Sequence, residues 1–262
     1  MKITIIGAGN IGGAIARGLA KGQMFDASDI TCTAHTEATL KKIRALCPGI
    51  VTTTSNPEAV LGADIIVLAV KPWLVEAIAG EIKDSLSPNQ LIVSVAAGIS
   101  FETLEKYFAS EGKMASPLFR VMPNTAIEIQ SSMTFVAAHG ATKEQYDLVV
   151  GIFNELGCAL PIEEKMMGAA TALASCGIAY ALRYIRAATE GGVELGFRPR
   201  EAQEIVARTV EGAARLLLSH GSHVEEEIDR VTTPGGVTIK GLNAMEEEGF
   251  TPAVIKGLRA SR

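Results

Sequence analysis

Aromatic residues are scarce in this 262-residue chain, 5% of the total, with one tryptophan. Charge is modest too: 24 Lys and Arg against 29 Asp and Glu, a net of −5. No basic cluster stands out beyond Lys41-Lys42, so a nucleic-acid surface has no support. The four cysteines, Cys32, Cys47, Cys158 and Cys176, show no CxxC spacing. Buried free thiols in a reducing, cytoplasmic setting are expected. The four histidines show no metal-ligand spacing, and His220 and His223 fall in a Gly/Ser-bearing break where they read as solvated. No metal site is expected. The first residues read directly as a strand, with no basic stretch leading into a long apolar segment, so no secretory leader is expected. Long apolar runs are also missing. The nearest, Met166 to Leu182, is short, rich in small residues, and carries Thr171, Ser175 and Cys176. A buried helix at a protein interface suits it better than a bilayer span.

What is abundant is glycine, 26 residues, with much alanine and 48% apolar residues overall. That composition suits tight turns, close helix packing and a sizeable core, and the length allows two domains. Short β-branched runs at 2–6, 29–34, 50–54, 65–70, 91–96, 118–122, 133–138 and 158–162 read as strands. Helical periodicity falls between them at 11–21, 36–46, 101–108 and 143–156. Such alternation predicts an α/β fold, a doubly wound, mainly parallel sheet covered by helices, over residues 1–162. Beyond it the strands stop. Residues 166–195 read as a long apolar helix broken near Gly191-Gly192, followed by helices at 200–219, 225–231, 238–248 and 252–260. Residues 163–262 are therefore an all-helical unit whose small residues invite a second subunit.

Two stretches carry anion-binding chemistry. Gly7-x-Gly9-x-x-Gly12 follows a strand and opens a helix. Gly7 permits a tight turn, Gly9 lets backbone approach a pyrophosphate, and Gly12 permits close helix–strand packing. The second strand ends at Ala34-His35-Thr36, with no Asp or Glu at the tip to hold a ribose 2′-hydroxyl. Glu37 falls in the next helix. The missing carboxylate favours NADPH over NADH, with Thr36 donating and His35 or Lys41 adding charge. Val70, Lys71, Pro72 and Ala97 fall at further strand ends, Ala97 and Gly98 leaving room for a nicotinamide ring, and Asn56 follows the third strand. The second stretch is Thr233-Pro-Gly-Gly-Val-Thr238, a turn running into a helix. It leaves backbone N–H groups pointing one way, a receptor for a small carboxylate or phosphate, although ordinary helix-starting turns share its composition.

Together these residues resemble the pyrroline-5-carboxylate reductase family along essentially the whole chain. The resemblance rests on Gly7-Ala-Gly-Asn-Ile-Gly12, Ala69-Val-Lys-Pro72, Ser94-Val-Ala-Ala-Gly-Ile-Ser100, Arg120-Val-Met-Pro-Asn-Thr125 and, most specifically, Val231-Thr-Thr-Pro-Gly-Gly-Val-Thr238. It implies cofactor contacts at Ala8, Asn10, Ile11, Ala34, Thr36, Asn56, Val70, Lys71 and Ala97. It implies substrate contacts at Glu164, Thr233, Gly236, Val237 and Thr238, and a helical domain that intertwines with its partner's in a homodimer or a ring of dimers. Three departures stand out: Ala174-Ser-Cys-Gly-Ile-Ala179 where the family has Ser-Gly-Ser-Gly-Pro-Ala, Ala126 where it has Pro, and Thr233 where it has Ser.

The expected chemistry is reduction of a cyclic imine carboxylate. Amides of Gly235, Gly236, Val237 and Thr238 would hold the carboxylate, with the Thr233 hydroxyl added. The Thr238 hydroxyl would meet the ring nitrogen as the catalytic group, and Glu164 would favour the protonated imine. For Thr238 an N-cap role, and for Glu164 a solvated helix start, are the plainer alternatives. A β-hydroxyacid dehydrogenase competes less well, because residues 170–186 hold no lysine. A related imine or F420-linked reductase, and a non-enzymatic dinucleotide sensor, are the other readings.

Overall fold

The computed structural model describes residues 1–109 and 116–261. The first half winds a single sheet. Strand β1 (Ile3–Ile6) leads to helix α1 (Asn10–Leu19), β2 (Ile30–Thr33), α2 (Glu37–Leu46), β3 (Val51–Thr53), α3 (Asn56–Val60), β4 (Ile65–Leu68), α4 (Val75–Ile82), β5 (Leu91–Ser94), α5 (Phe101–Phe108) and β6 (Leu118–Met122). Then come β7 (Ser132–His139), α6 (Lys143–Asn154), β8 (Gly157–Pro161) and the short α7 (Met167–Ala170). The strands lie in the order β3-β2-β1-β4-β5-β6-β7-β8, all pairs parallel except β6 with β7. That pair is joined by a single 3-10 turn (Thr125–Ile129), too short for a parallel crossover. The strand order reverses between the parallel neighbours β1 and β4, the switch point where ligands of such sheets bind.

β1, β4 and β5 are buried along their whole length, as continuous apolar strands covered on both faces must be. One core layer gathers Ile3, Ile5, Ile15, Val67, Phe119 and Phe153, the other Ile66, Leu68, Ile82, Phe101 and Leu104.

The second half is helical: α8 (Gly177–Glu194), α9 (Pro199–His220), α10 (Val224–Arg230), α11 (Val237–Glu247) and α12 (Phe250–Ala260). The chain separates into two compact units, Met1–Ser175 and Cys176–Arg262. Two expectations need correction here. α8 runs unbroken through Gly191-Gly192. A Cβ at Gly192 would sit 3.0 Å from Ala202 Cβ on α9, so the glycine serves close helix approach rather than a break. The irregular point is earlier, a π-turn at Thr171–Ser175. The thiols also differ from expectation. Only Cys32 is buried, where burial pushes it up to about 12 and keeps it protonated; Cys158 is exposed. The helical stretch Glu164–Glu194 is long and apolar enough to cross a membrane by length and composition, a test that the core helix of a soluble protein also passes.

Candidate functional site

Connections at the carboxyl ends of β1, β2, β4 and β5 line a cleft of about 640 Å³. The first supplies Gly7, Ala8, Gly9, Asn10 and Ile11. The second supplies Ala34, His35, Thr36 and Thr39. The third supplies Ala69, Val70, Lys71, Pro72 and Leu74, and the fourth Val95, Ala96 and Ala97.

Each glycine of the first turn has its own geometric reason. Gly7 has φ +98°, and a Cβ there would lie 2.7 Å from Ala69 O. Gly12 is buried beneath the turn, where a Cβ would lie 2.2 Å from Gly7 O. A Cβ at Gly9 would meet nothing within 4 Å. The open side of the turn is therefore at Gly9. α1 begins directly behind it with no side-chain cap and no acidic residue in its first turn. Its first amides remain available to an anion, and a pyrophosphate fits that arrangement.

At the tip of β2, Thr36 caps α2: its Oγ1 accepts from Thr39 N at 3.4 Å and lies 3.0 Å from Thr39 Oγ1. Glu37, the nearest carboxylate in sequence, is the first residue of α2 and pairs with Arg44. Beside the cleft, Arg17, Thr39 and Lys42 line a recess of about 270 Å³ together with Ala8, Gly9 and Asn10. The lysine on this face is Lys42 rather than the expected Lys41, because three residues along a helix return to the same side as Thr39 and two do not. Asn56 does not line the cleft: its Oδ1 accepts from Thr33 Oγ1 at 2.6 Å and its Nδ2 donates to Glu81 Oε2 at 2.7 Å.

In the helical unit, Gly236 N donates to Thr233 O at 2.9 Å, closing a turn in which Gly235 has φ +72°. Gly236 is the N-cap of α11, no side chain caps it, and no acidic residue occupies the first turn. The N-cap alternative for Thr238 is thus excluded; it sits second in the helix, half-buried, while Val237 is exposed. A Cβ at Gly236 would lie 2.5 Å from Thr233 Oγ1, so the Thr233 hydroxyl overhangs the turn. Ahead of the turn, α9 and α10 are knotted by Glu227, whose Oε1 meets Ser222, His220 (3.0 Å) and Arg230 (2.6 Å). Hydrogen bonds from Ser222 and His220, with the Arg230 charge, hold the Glu227 carboxyl down to about 2. His220 and His223 are both exposed, as expected, and each also has a local role: His220 joins this knot, and His223 caps α10 by accepting from Glu225 N.

Glu164 opens the 3-10 turn Glu164–Met166 and is partly exposed, but its carboxylate is also engaged within the fold. Its Oε1 accepts from Arg120 Nη1 at 2.6 Å and from Phe101 N at 2.7 Å. Sequence reasoning had both residues in view but no signal to pair them across 44 positions. The departing segment 174–179 begins in the π-turn, where Ser175 Oγ donates to Pro123 O at 3.1 Å.

Against this geometry, the comparisons with known proteins agree with one another. Residues 164–262 match the family model for pyrroline-5-carboxylate reductase dimerisation, and residues 2–98 match that for NADP oxidoreductase, coenzyme F420-dependent. Pyrroline-5-carboxylate reductase 1 of Dictyostelium discoideum is 38% identical over 99% of this chain, which spans about half (48%) of that relative. Pyrroline-5-carboxylate reductase 2 of the same organism is 38% identical over 98% of this chain and 89% of its own length. The crystal structure of Plasmodium falciparum pyrroline carboxylate reductase with NADP bound superimposes with a TM-score of 0.87 at 26% identity, covering 100% of this chain and 95% of that one. With whole-length identity of this order, the chain belongs to the pyrroline-5-carboxylate reductase family.

Proposed function

We propose that the protein is a pyrroline-5-carboxylate reductase, an NADP-dependent oxidoreductase that converts 1-pyrroline-5-carboxylate to L-proline. The observation that carries this reading is the uncapped, acid-free start of α11 behind Thr233-Pro-Gly-Gly236, in a chain that also holds a dinucleotide cleft. When bound, the dihydronicotinamide supplies hydride to the C=N carbon. The protein's part is to bind and orient. Amides of Asn10, Ile11 and Gly12 at the start of α1 face the pyrophosphate across Gly9. Gly7, Ala8, Ala34, Val70, Lys71, Pro72 and Ala97 form the rest of the cofactor site. His35, Thr36 and Thr39 receive the 2′-phosphate end, where Arg44 has already neutralised Glu37. Asn56 acts on that end through Thr33.

Amides of Gly235, Gly236, Val237 and Thr238 hold the substrate carboxylate, aided by the helix dipole and the Thr233 hydroxyl. The Thr238 hydroxyl hydrogen-bonds the ring nitrogen, which arrives protonated from solution, and the Glu164 charge favours that protonated form. Residues 1–162 serve the cofactor, and residues 163–262 serve the substrate and a domain-intertwined homodimer, which a ring of dimers can extend. An exposed free thiol at Cys158 suits the cytoplasm. Thr238→Ala is expected to cost about 1–3 kcal/mol in kcat/KM with pyrroline-5-carboxylate, the range for a lost buried hydrogen bond. Unchanged kcat/KM would remove the hydroxyl from the mechanism.

A further inference from the structure

Glu164 is not among the residues that line the cofactor cleft, yet its carboxylate gathers both ends of one cleft wall. β5 ends at Ser94, whose register partner on β6 is Arg120. From Ser94 the chain passes through Val95, Ala96 and Ala97, which line the cleft, turns at Gly98 (φ +78°), and enters α5 at Phe101. Glu164 Oε1 accepts from the Arg120 guanidinium beside the start of this segment and from the Phe101 amide at its end. Ser100 caps α5 through Thr103 N, which leaves the Phe101 amide to Glu164. The Arg120 side chain is 12% exposed and that of Glu164 36%, so the guanidinium is the shielded partner, and removing Glu164 strands it.

We infer that Glu164 and Arg120 are positioning residues for hydride transfer. Together they set the placement of the 95–97 wall, and with it the nicotinamide, in addition to the charge that Glu164 presents to the substrate. Glu164→Gln keeps an acceptor for both donors and loses only the charge. Glu164→Ala loses both. The inference rests on the reductase reading, and the experiment separates the two.

The test compares Glu164→Gln, Glu164→Ala, Arg120→Met, Arg120→Lys and the Arg120→Met/Glu164→Ala double variant in the full chain. Read out are kcat and KM for pyrroline-5-carboxylate, the Kd of NADPH by fluorescence, and the primary deuterium isotope effect with NADPH deuterated at the transferred position. Glu164→Ala is expected to lower kcat by about ten- to hundredfold, the scale of an ångström-sized misplacement, with a changed isotope effect and little change in NADPH Kd. Glu164→Gln keeps the wild-type isotope effect and loses less activity than Glu164→Ala. Arg120→Met reproduces the Ala defect, Arg120→Lys recovers part of it, and the double variant is no worse than Glu164→Ala alone. The inference is overturned if Gln and Ala at 164 are equally impaired through KM, if Arg120→Met is silent, or if the double variant shows additive losses. A wild-type chain that binds NADPH but does not turn over would overturn the reductase reading instead.

Discussion

The two units of this protein solve the burial problem in opposite ways. The α/β unit sets three fully buried strands between two apolar layers, with Phe119 and Phe153 inaccessible to solvent. In the helical unit, among the described residues, only Ala202 is buried. Leu182, Tyr184, Leu195, Phe197, Leu218 and Val254 stand exposed there, Leu218 at 84%. Monomers rarely leave apolar surface on that scale uncovered. The α/β unit therefore carries its own core, whereas the helical unit, the part matching a dimerisation family, leaves the kind of apolar surface that self-association covers.

The largest expected effect tests the first half of that contrast. Phe119→Ala should cost about 3–5 kcal/mol of stability by emptying a filled core site, and in thermal melts that loss should not depend on protein concentration. Leu182→Glu should behave otherwise, lowering the mass seen by light scattering and making the melting temperature concentration-dependent. If Leu182→Glu leaves the mass unchanged, α8 is not part of the self-association surface.

A smaller pair of changes sharpens the difference between a packing glycine and a ligand-facing one. Gly12→Ala, with no room for its methyl, should lower stability by roughly 1–3 kcal/mol. Gly9→Ala faces open space and should leave stability within about 0.5 kcal/mol while weakening NADPH in a fluorescence titration. Equal melting losses in both would remove that distinction.

The smallest effect concerns the knot ahead of the anion-binding turn. Because Glu227 is depressed to about 2 from an ordinary 4.5, its contribution is fully present above that ordinary value and fades as pH falls from there toward 2. Protection of the α10 amides, measured against the intrinsic exchange rate at each pH, should fall over that window, and Glu227→Gln should flatten the response. A protection factor that stays constant across that window in the wild type would show that Glu227 does not hold the corner.

Much of this was legible from sequence because local rules coincided with the fold. All eight strands are present, their ends displaced by no more than two residues, and α5 (Phe101–Phe108) begins and ends where periodicity places it. Of the residues expected at the cofactor, the cleft lacks Gly12, which packs beneath the turn, Asn56, which is held by Thr33 and Glu81, and also Lys41 and Gly98. What was illegible depended on distance or helical phase. α3 was missed because it has only 5 residues, and α4 because its further apolar residues, Ala77 and Ile78, blur the buried stripe of Val75, Ala79 and Ile82. The Gly191-Gly192 pair imitates a helix break locally and is explained only by Ala202 on the neighbouring helix. The Arg120–Glu164 pair joins strand β6 to the 3-10 turn after β8 and required the folded sheet, and the choice of Lys42 over Lys41 required the phase of α2.

The measurement that tests the account most directly is NADPH consumption, followed by absorbance, with pyrroline-5-carboxylate as substrate and NADH in parallel. Rapid turnover, faster with NADPH than with NADH, is the predicted result. NADPH binding without turnover would contradict the assignment of the Thr233–Thr238 turn to this substrate and direct attention to the altered segment 174–179.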